Sequence, residues 1–506
     1  MIHRSLLRLL SVVGLAVCWF PNTSALAQAK ADSRSPILAG AAISDITPPL
    51  GLPIVGGWNS PPAQVVHDPI QVRSLVIANG GKERQKLAWA ICDSVGIPAE
   101  VFDIARRQVV DQIGISADAI MMSSTHTHSS VSAAGTRWVD GVPLLDDYQT
   151  RVAAGIVEAI VNANNRLQPA KISWGGVDEA GEVHNRRWFV GDAIETDNPF
   201  GGEDQVRFNP PEGHSDLIKP AGPIDPEISF ISVHSIDDQP IAVLANYSLH
   251  YVGGVPSNHL SADYFAAFAD QLSDNLEATS PDTFVGIMTN GTSGDINNFH
   301  FHDPLPPMEP YENIQRVAKV VADRVTSAMD DCEYRTSVKL DAAVEIVPLK
   351  VRKPSDEMLL HFQEVRRKVA AGEKVYRYAE TYANRVEELK AGPDFYNVRL
   401  QVLRIDDLMI AGIPFEVFAE IGISLKEKNQ ADDCFVVSLC GGSFGYLPTR
   451  RQHKLGGYET WMGTNRVQFN ASDLITESIL KMMNRLYRAE EEVEVKDSSD
   501  SRQRRR

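Results

Sequence analysis

The sequence predicts an α/β (α+β) fold, with mixed β-sheets flanked by helices in one large domain. Three observations carry this. Short apolar, β-rich runs alternate along the chain with segments of helical periodicity. Two pairs of runs are joined by tight polar turns, Asp237-Asp238-Gln239-Pro240 and Asp406-Asp407, so the sheets are partly hairpin-linked and not purely parallel. No internal repeat and no Pro/Ser-rich linker divides the middle of the 506 residues.

The elements follow in order. Arg4 and Arg8 precede an apolar run over 9–20, Pro21 ends it, and Ala25-Leu26-Ala27 supplies a small-x-small cleavage site. Residues 1–27 therefore read as a secretory signal peptide, too short to span a bilayer comfortably, and the protein is expected to be secreted or periplasmic. A polar leader (28–36) leads into a domain expected over 37–488. Strands are predicted at 87–92 and 119–123, with helices over 99–113 and 145–167. Strands at 228–234 and 241–247 form the first hairpin, followed by a helix over 264–276 and a buried strand at 284–289. A helix over 313–329, a strand at 340–351, the second hairpin (398–405 and 408–413), a strand at 434–439 and a helix over 474–486 complete the pattern. Residues 191–222, rich in Pro, Gly and acids, read as a long irregular loop. Residues 355–390 are charged and helical, a surface insertion. Residues 489–506, ending in Arg504-Arg505-Arg506, read as a disordered charged tail.

Composition excludes some partners. Lys+Arg number 49 against 66 Asp+Glu, a net charge of −17. Phosphate backbones need a positive surface, so nucleic acid is excluded, and an anionic membrane is met at most transiently. Beyond the leader the cysteines are Cys92, Cys332, Cys434 and Cys440. None forms a CxxC pair, which argues against a disulfide scaffold or a cysteine metal site and for buried small hydrophobes.

Candidate chemistry gathers where predicted strands end. In Ser124-Thr125-His126-Thr127-His128-Ser129, an extended backbone would turn His126 and His128 to one side, a way of presenting two imidazoles to a metal, or one to a metal and one to substrate. His250 follows the strand at 241–247. Asn290-Gly291-Thr292-Ser293-Gly294-Asp295-Ile296-Asn297 follows another, and its glycines suggest backbone approaching a ligand. Glu416 lies among Phe415, Val417 and Phe418, where a carboxylate would need a cation or a proton. Tyr446 sits in a loop after the strand at 434–439. Gly441-Gly442-Ser443-Phe444-Gly445 matches GxSxG, but Pro448 argues against the helix that a nucleophile elbow requires.

Taken together, the segments from about residue 39 to 486 resemble the catalytic domain of the neutral ceramidase family. The resemblance rests on Ala39-Gly40-Ala41-Ala42-Ile43-Ser44-Asp45-Ile46-Thr47-Pro48, His67-Asp68-Pro69, Thr125-His126-Thr127-His128-Ser129 and Asn185-Arg186. It continues with Tyr247-Ser248-Leu249-His250, Ser261-Ala262-Asp263-Tyr264, Gly294-Asp295-Ile296-Asn297, Pro414-Phe415-Glu416 and Gly445-Tyr446. It implies a single large metal-hydrolase domain and a zinc amidase that cleaves the N-acyl bond of a lipid or small-molecule amide. The zinc ligands it implies are His126, His250, Glu416 and Tyr446. The family's second histidine falls on His128 and its substrate-facing arginine on Arg186. At such a site Tyr446, Arg186 and His128 would hold the oxyanion, and His128 would shuttle the proton to the leaving amine. Asp263 and Asp295 would orient the ligand histidines. Two departures are visible. Asn297 stands where the family has a serine, which excludes a serine acyl-enzyme and leaves a zinc-activated water. The chain also has no room after the helix at 474–486 for the family's immunoglobulin-like domain. The alternatives are a related metal-dependent hydrolase of another acyl or ester substrate and a non-catalytic binding protein on the same fold. A polar cleft beside the metal would favour the first of these, and a metal-free protein the second.

Overall fold

The largest element is an eight-stranded mixed sheet. Its strands in chain order are β1 (Ile37–Asp45), β2 (Gln71–Asn79), β3 (Lys86–Cys92), β4 (Ile120–Ser124), β5 (Gln168–Asp178), β6 (Glu227–Ser235), β7 (Pro240–Tyr247) and β8 (Val285–Asn290). The spatial order is β8-β7-β6-β5-β1-β2-β3-β4. The interior pairs are antiparallel, whereas the edge pairs β7–β8 and β3–β4 are parallel. A second, four-stranded sheet runs β9 (Leu340–Lys350), β10 (Phe395–Ile405), β11 (Leu408–Gly412), β12 (Asp433–Val437), with β11–β12 parallel. The structure, a computed structural model, describes residues 36–503 apart from 81–84, 140 and 279–282, and beyond Arg488 the backbone alone. The expected signal peptide and the leader up to residue 35 lie outside the described residues.

Helices cover both sheets. Helix α1 (Ala99–Ile113) stops at Gly114, whose φ of 62° suits a residue without Cβ, and α2 (Asp147–Asn165) starts from an Asp146–Gln149 capping box. Helix α2 packs on β1–β3 with α1 beside it. Helix α3 (Asp263–Asn275) lies on β8, and α4 (Glu312–Met329) on β5 and β6. Helices α5 (Asp356–Ala370) and α6 (Ala379–Ala391) lie between β9 and β10. The strand ends they leave from, Lys350 and Phe395, still pair. Helix α7 (Ala419–Lys428) packs on β12. A short α8 (Arg450–Leu455) precedes α9 (Ala471–Gln503), which packs on β9 and β10. Among the described residues no helix is long and apolar enough to cross a membrane.

Three differences from expectation have physical reasons. Strands β2 and β5 went unmarked by pattern. The former is buried along nearly its whole length, including Arg73 on Asp93 at 2.8 Å, and so does not alternate; the latter contains Pro169, Gly175 and Gly176. The span 191–222 is not wholly irregular. Arg207–Phe208 and Leu217–Pro220 flank Arg187–Val190 in a small sheet, nucleated by Trp188, Ile194, Leu217 and Phe301. The α9 backbone continues to Gln503 through the tail where disorder was expected, a stretch that opens with the helix-forming residues Ala489, Glu490, Glu491 and Glu492.

What positions the site is a seam between the sheets. Ser438 N–H donates to Asn290 O (2.9 Å), Gly441 N–H to Met122 O (2.8 Å) and Asn246 Nδ2 to Val436 O (3.0 Å). These bonds fasten the end of β12 to β4, β7 and β8. The carboxyl ends of β4, β7, β8 and β11 thereby meet in one place.

Candidate metal centre

Each candidate side chain enters just past one of these strand ends. Beyond β4, Thr125 N–H donates to Cys92 O and His126 N–H to Ser94 O, both 2.9 Å. His126 has φ 77°. The His-x-His pair therefore does not converge as alternate residues of an extended strand, as expected; a left-handed residue turns the chain. Such a conformation costs about 1–3 kcal/mol in a non-glycine residue and persists where the surroundings hold it. His250 arrives after β7. Glu416 and Tyr446 come from two short strands, Glu416–Val417 and Tyr446–Leu447, that pair directly in parallel.

His126 Nε2 lies 3.0 Å from His250 Nε2, 3.3 Å from His128 Nε2 and 3.2 Å from Glu416 Oε2. The other side of each ring is engaged by backbone. His126 Nδ1 is 2.5 Å from Val95 O, His250 Nδ1 is 3.1 Å from Ser293 O, and the His128 ring bonds to the backbone of Gly56. Carbonyls only accept, so the ring protons lie on that side and bare nitrogen lone pairs face one another across the cluster. Glu416 Oε2 is buried with no hydrogen-bond partner. Lone pairs this close are reconciled by a cation, and the three histidines fit a metal site. Burial holds His128 and His250 well below the usual imidazole range, so both are neutral. Burial opposes the Glu416 carboxylate, yet its pKa lies below the ordinary value, with the Tyr446 hydrogen bond and the Arg186 charge both favouring the ionised form.

Arg186 is buried beside this cluster. It donates to Glu459 Oε1 (2.9 Å), Gly294 O (2.8 Å) and Asn297 Oδ1 (3.4 Å), and its guanidinium lies 5.3 Å from the Tyr446 ring centre. Burial works against its charge; Tyr446, Glu459 and Glu416 overcome that and raise its pKa. Tyr446 is pushed well up, by burial and then by Glu416, so its phenol keeps a proton to donate. Asn297 binds Asn209 as well as Arg186.

Asp263 and Asp295, expected to orient the histidines, touch no ring. Asp263 accepts from the backbone of Val252, Gly253 and Tyr264, shaping the turn after His250. Asp295 accepts from Ala419 N–H (2.9 Å) and Asn185 Nδ2 (2.8 Å). Backbone carbonyls do the orienting instead. The glycines after β8 also serve a different end: a Cβ on Gly291 would meet Ser248 N at 2.9 Å, and one on Gly294 would meet Glu416 O at 2.6 Å. They admit neighbouring backbone, not a ligand. Ser443 precedes the strand Tyr446–Leu447 and no helix follows directly, so no nucleophile elbow forms.

Sequence reasoning missed Gly56, Tyr251, Tyr458 and Glu459. Gly56 has φ 122° and sits so close to His128 that a Cβ would lie 2.6 Å from His128 Cβ. Tyr251 stacks on His128 at 3.9 Å, and the Tyr458 ring is 5.6 Å from that of Tyr446. The adjacency of Tyr251 to His250 was the one available signal; the others depend on contacts between distant segments.

Two mixed sheets joined at strand ends around a histidine–carboxylate cluster define an α/β fold built on a metal-type centre. No protein-family model and no curated protein matches the chain. In three dimensions it is similar to a ceramidase solved in complex with C2, at 14% identity, covering 90% of this chain and 76% of that one with a TM-score of 0.65. It is also similar to neutral ceramidase from Pseudomonas aeruginosa, at 16% identity, 89% and 74% coverage and a TM-score of 0.63. The chain thus has the neutral-ceramidase-like catalytic fold that its motifs predicted.

Proposed function

We propose that the protein is a zinc-dependent amidohydrolase that cleaves the N-acyl amide of a ceramide-like lipid outside the cytoplasm. The observation that carries the reading is the meeting of three imidazole nitrogens at His126 Nε2, with the buried Glu416 Oε2 3.2 Å from that same atom. The fold likeness supports the choice of amide, and the leader sequence supports the location. His126, His250, Glu416 and Tyr446 would hold the ion, an N/O donor set suited to Zn²⁺. When bound, zinc polarises a carbonyl and brings the pKa of water toward ~7.

The chain's own groups supply the rest. Arg186 and the Tyr446 hydroxyl are donors for the negative charge that develops on the amide oxygen. His128 is neutral and has a free ring nitrogen. It can accept a proton from the attacking water and return it to the departing nitrogen. Overall, the oxygen of water bonds to the acyl carbon, the C–N bond breaks, and the nitrogen leaves as an amine. Asn297 offers no nucleophile, and none is needed.

The test pairs metal content with hydrolysis of a fluorogenic N-acyl sphingosine. Purified protein should hold near-stoichiometric zinc and lose activity with chelator. His126→Ala should lose both metal and hydrolysis, and Arg186→Gln should keep the metal while kcat falls about 10²–10³-fold. Hydrolysis that survives metal loss would sink the scheme.

A further inference from the structure

A cleft of about 820 Å³ opens beside the metal cluster. It shares a wall with the reaction site. Phe208, in the cleft, lies 5.0 Å beneath the Arg186 guanidinium and 4.7 Å from Tyr458, which faces Tyr446. Asn209, also in the cleft, accepts from Asn297 (2.6 Å). The turn between α5 and α6 also lines it, where Tyr378 stacks on Trp58 at 3.5 Å.

The lining does not suit a bare hydrocarbon chain. Val206 and Val375 are its aliphatic residues. Its larger surfaces are the rings of Trp58, Phe208, Tyr376, Tyr378, Tyr458 and Trp461. Charges of both signs stand at the exposed rim, Glu195 and Asp197 against Lys374 and Arg377. Deeper in, the acid Asp204 is already engaged by Trp461 Nε1 (2.7 Å) and Asn198 Nδ2 (3.1 Å). Arg207 is different. It is half-buried, it bonds to Tyr376, and its Nε–H is buried with no acceptor. An unsatisfied guanidinium N–H is unfavourable, and its natural complement is a carboxylate or phosphate oxygen.

We propose that the substrate carries an anionic group away from its amide and that Arg207 receives it in this cleft. This rests on the amidohydrolase reading and narrows it: the amide is an N-acylated amino acid or a phosphorylated amide lipid. Both present the same oxyanion chemistry. The aromatic rings would pack against the linker between that group and the amide.

The experiment uses the zinc-loaded full chain with N-lauroylethanolamine, N-lauroylglycine and N-lauroyl-O-phosphoethanolamine. At least one anionic amide should exceed the neutral one in kcat/KM by about tenfold, and Arg207→Gln should abolish that preference, with Arg207→Lys retaining part of it. The preferred anion identifies the source. Binding of the same anionic amides to chelator-treated protein, read by calorimetry, should weaken about tenfold in Arg207→Gln. Cleavage of all three amides without preference, or a preference that Arg207→Gln leaves intact, overturns the proposal and spares the amidohydrolase reading. Arg207-dependent binding with no amide cleaved does the reverse.

Discussion

Glu459 is fully buried between two arginines, with Oε1 on Arg186 Nε at 2.9 Å and Oε2 on Arg187 Nη1 at 2.5 Å. With Tyr446 it keeps the Arg186 guanidinium charged, and its bond to Nε fixes the direction of that group. Removing one partner of a buried, hydrogen-bonded ion pair typically costs about 3–5 kcal/mol, because the remaining charge stays desolvated. Glu459→Gln should therefore lower the thermal midpoint by several degrees and reduce kcat more than it changes metal content. An unchanged melting curve would mean that the two arginines are held by their other bonds alone. Arg187 has such bonds, to Gln452 and to Gly456 O, so the loss should fall mainly on Arg186.

At the scale of elements, Asp295 ties the start of α7 to the turn after β8. Burial, opposed by the Ala419 and Asn185 bonds, raises its pKa to about 7 from an ordinary 3.8. Between those values the folded protein keeps a proton that the unfolded chain has released. The stability from this group is complete below the lower value and is lost as pH rises through the upper one. The melting-temperature difference between wild type and Asp295→Asn should therefore shift against wild type between about pH 4.5 and 7.5. A flat difference would mean that Asp295 is ionised in the fold. Helices and hairpins were legible because their periodicity and turns are local: α1 runs over the residues expected, and both Asp-containing turns join antiparallel strands. A strand such as β2 was not, because two-sided burial erases alternation. The site divides the same way. His126, His250, Glu416 and Tyr446 each stood out after a strand, but their meeting depends on the seam between the sheets, which no spacing encodes. It was the family resemblance that grouped them.

At the scale of the whole molecule, the cluster draws on segments from both sheets, so an ion bound there stabilises the entire fold. Zinc at a hundred times its dissociation constant should add about 2.7 kcal/mol, visible as a concentration-dependent rise in melting temperature that chelator reverses. A melting temperature indifferent to zinc would place the ion elsewhere. The wall of the cleft that carries Tyr376, Arg377 and Tyr378 belongs to a helical pair set between β9 and β10, strands that already pair at their ends. That pair can lengthen, shorten or be exchanged without moving a strand that bears a histidine. On the proposed reading, selectivity and chemistry would occupy separate parts of the architecture, and grafting a foreign α5–α6 segment would redirect substrate choice while leaving the metal cluster in place.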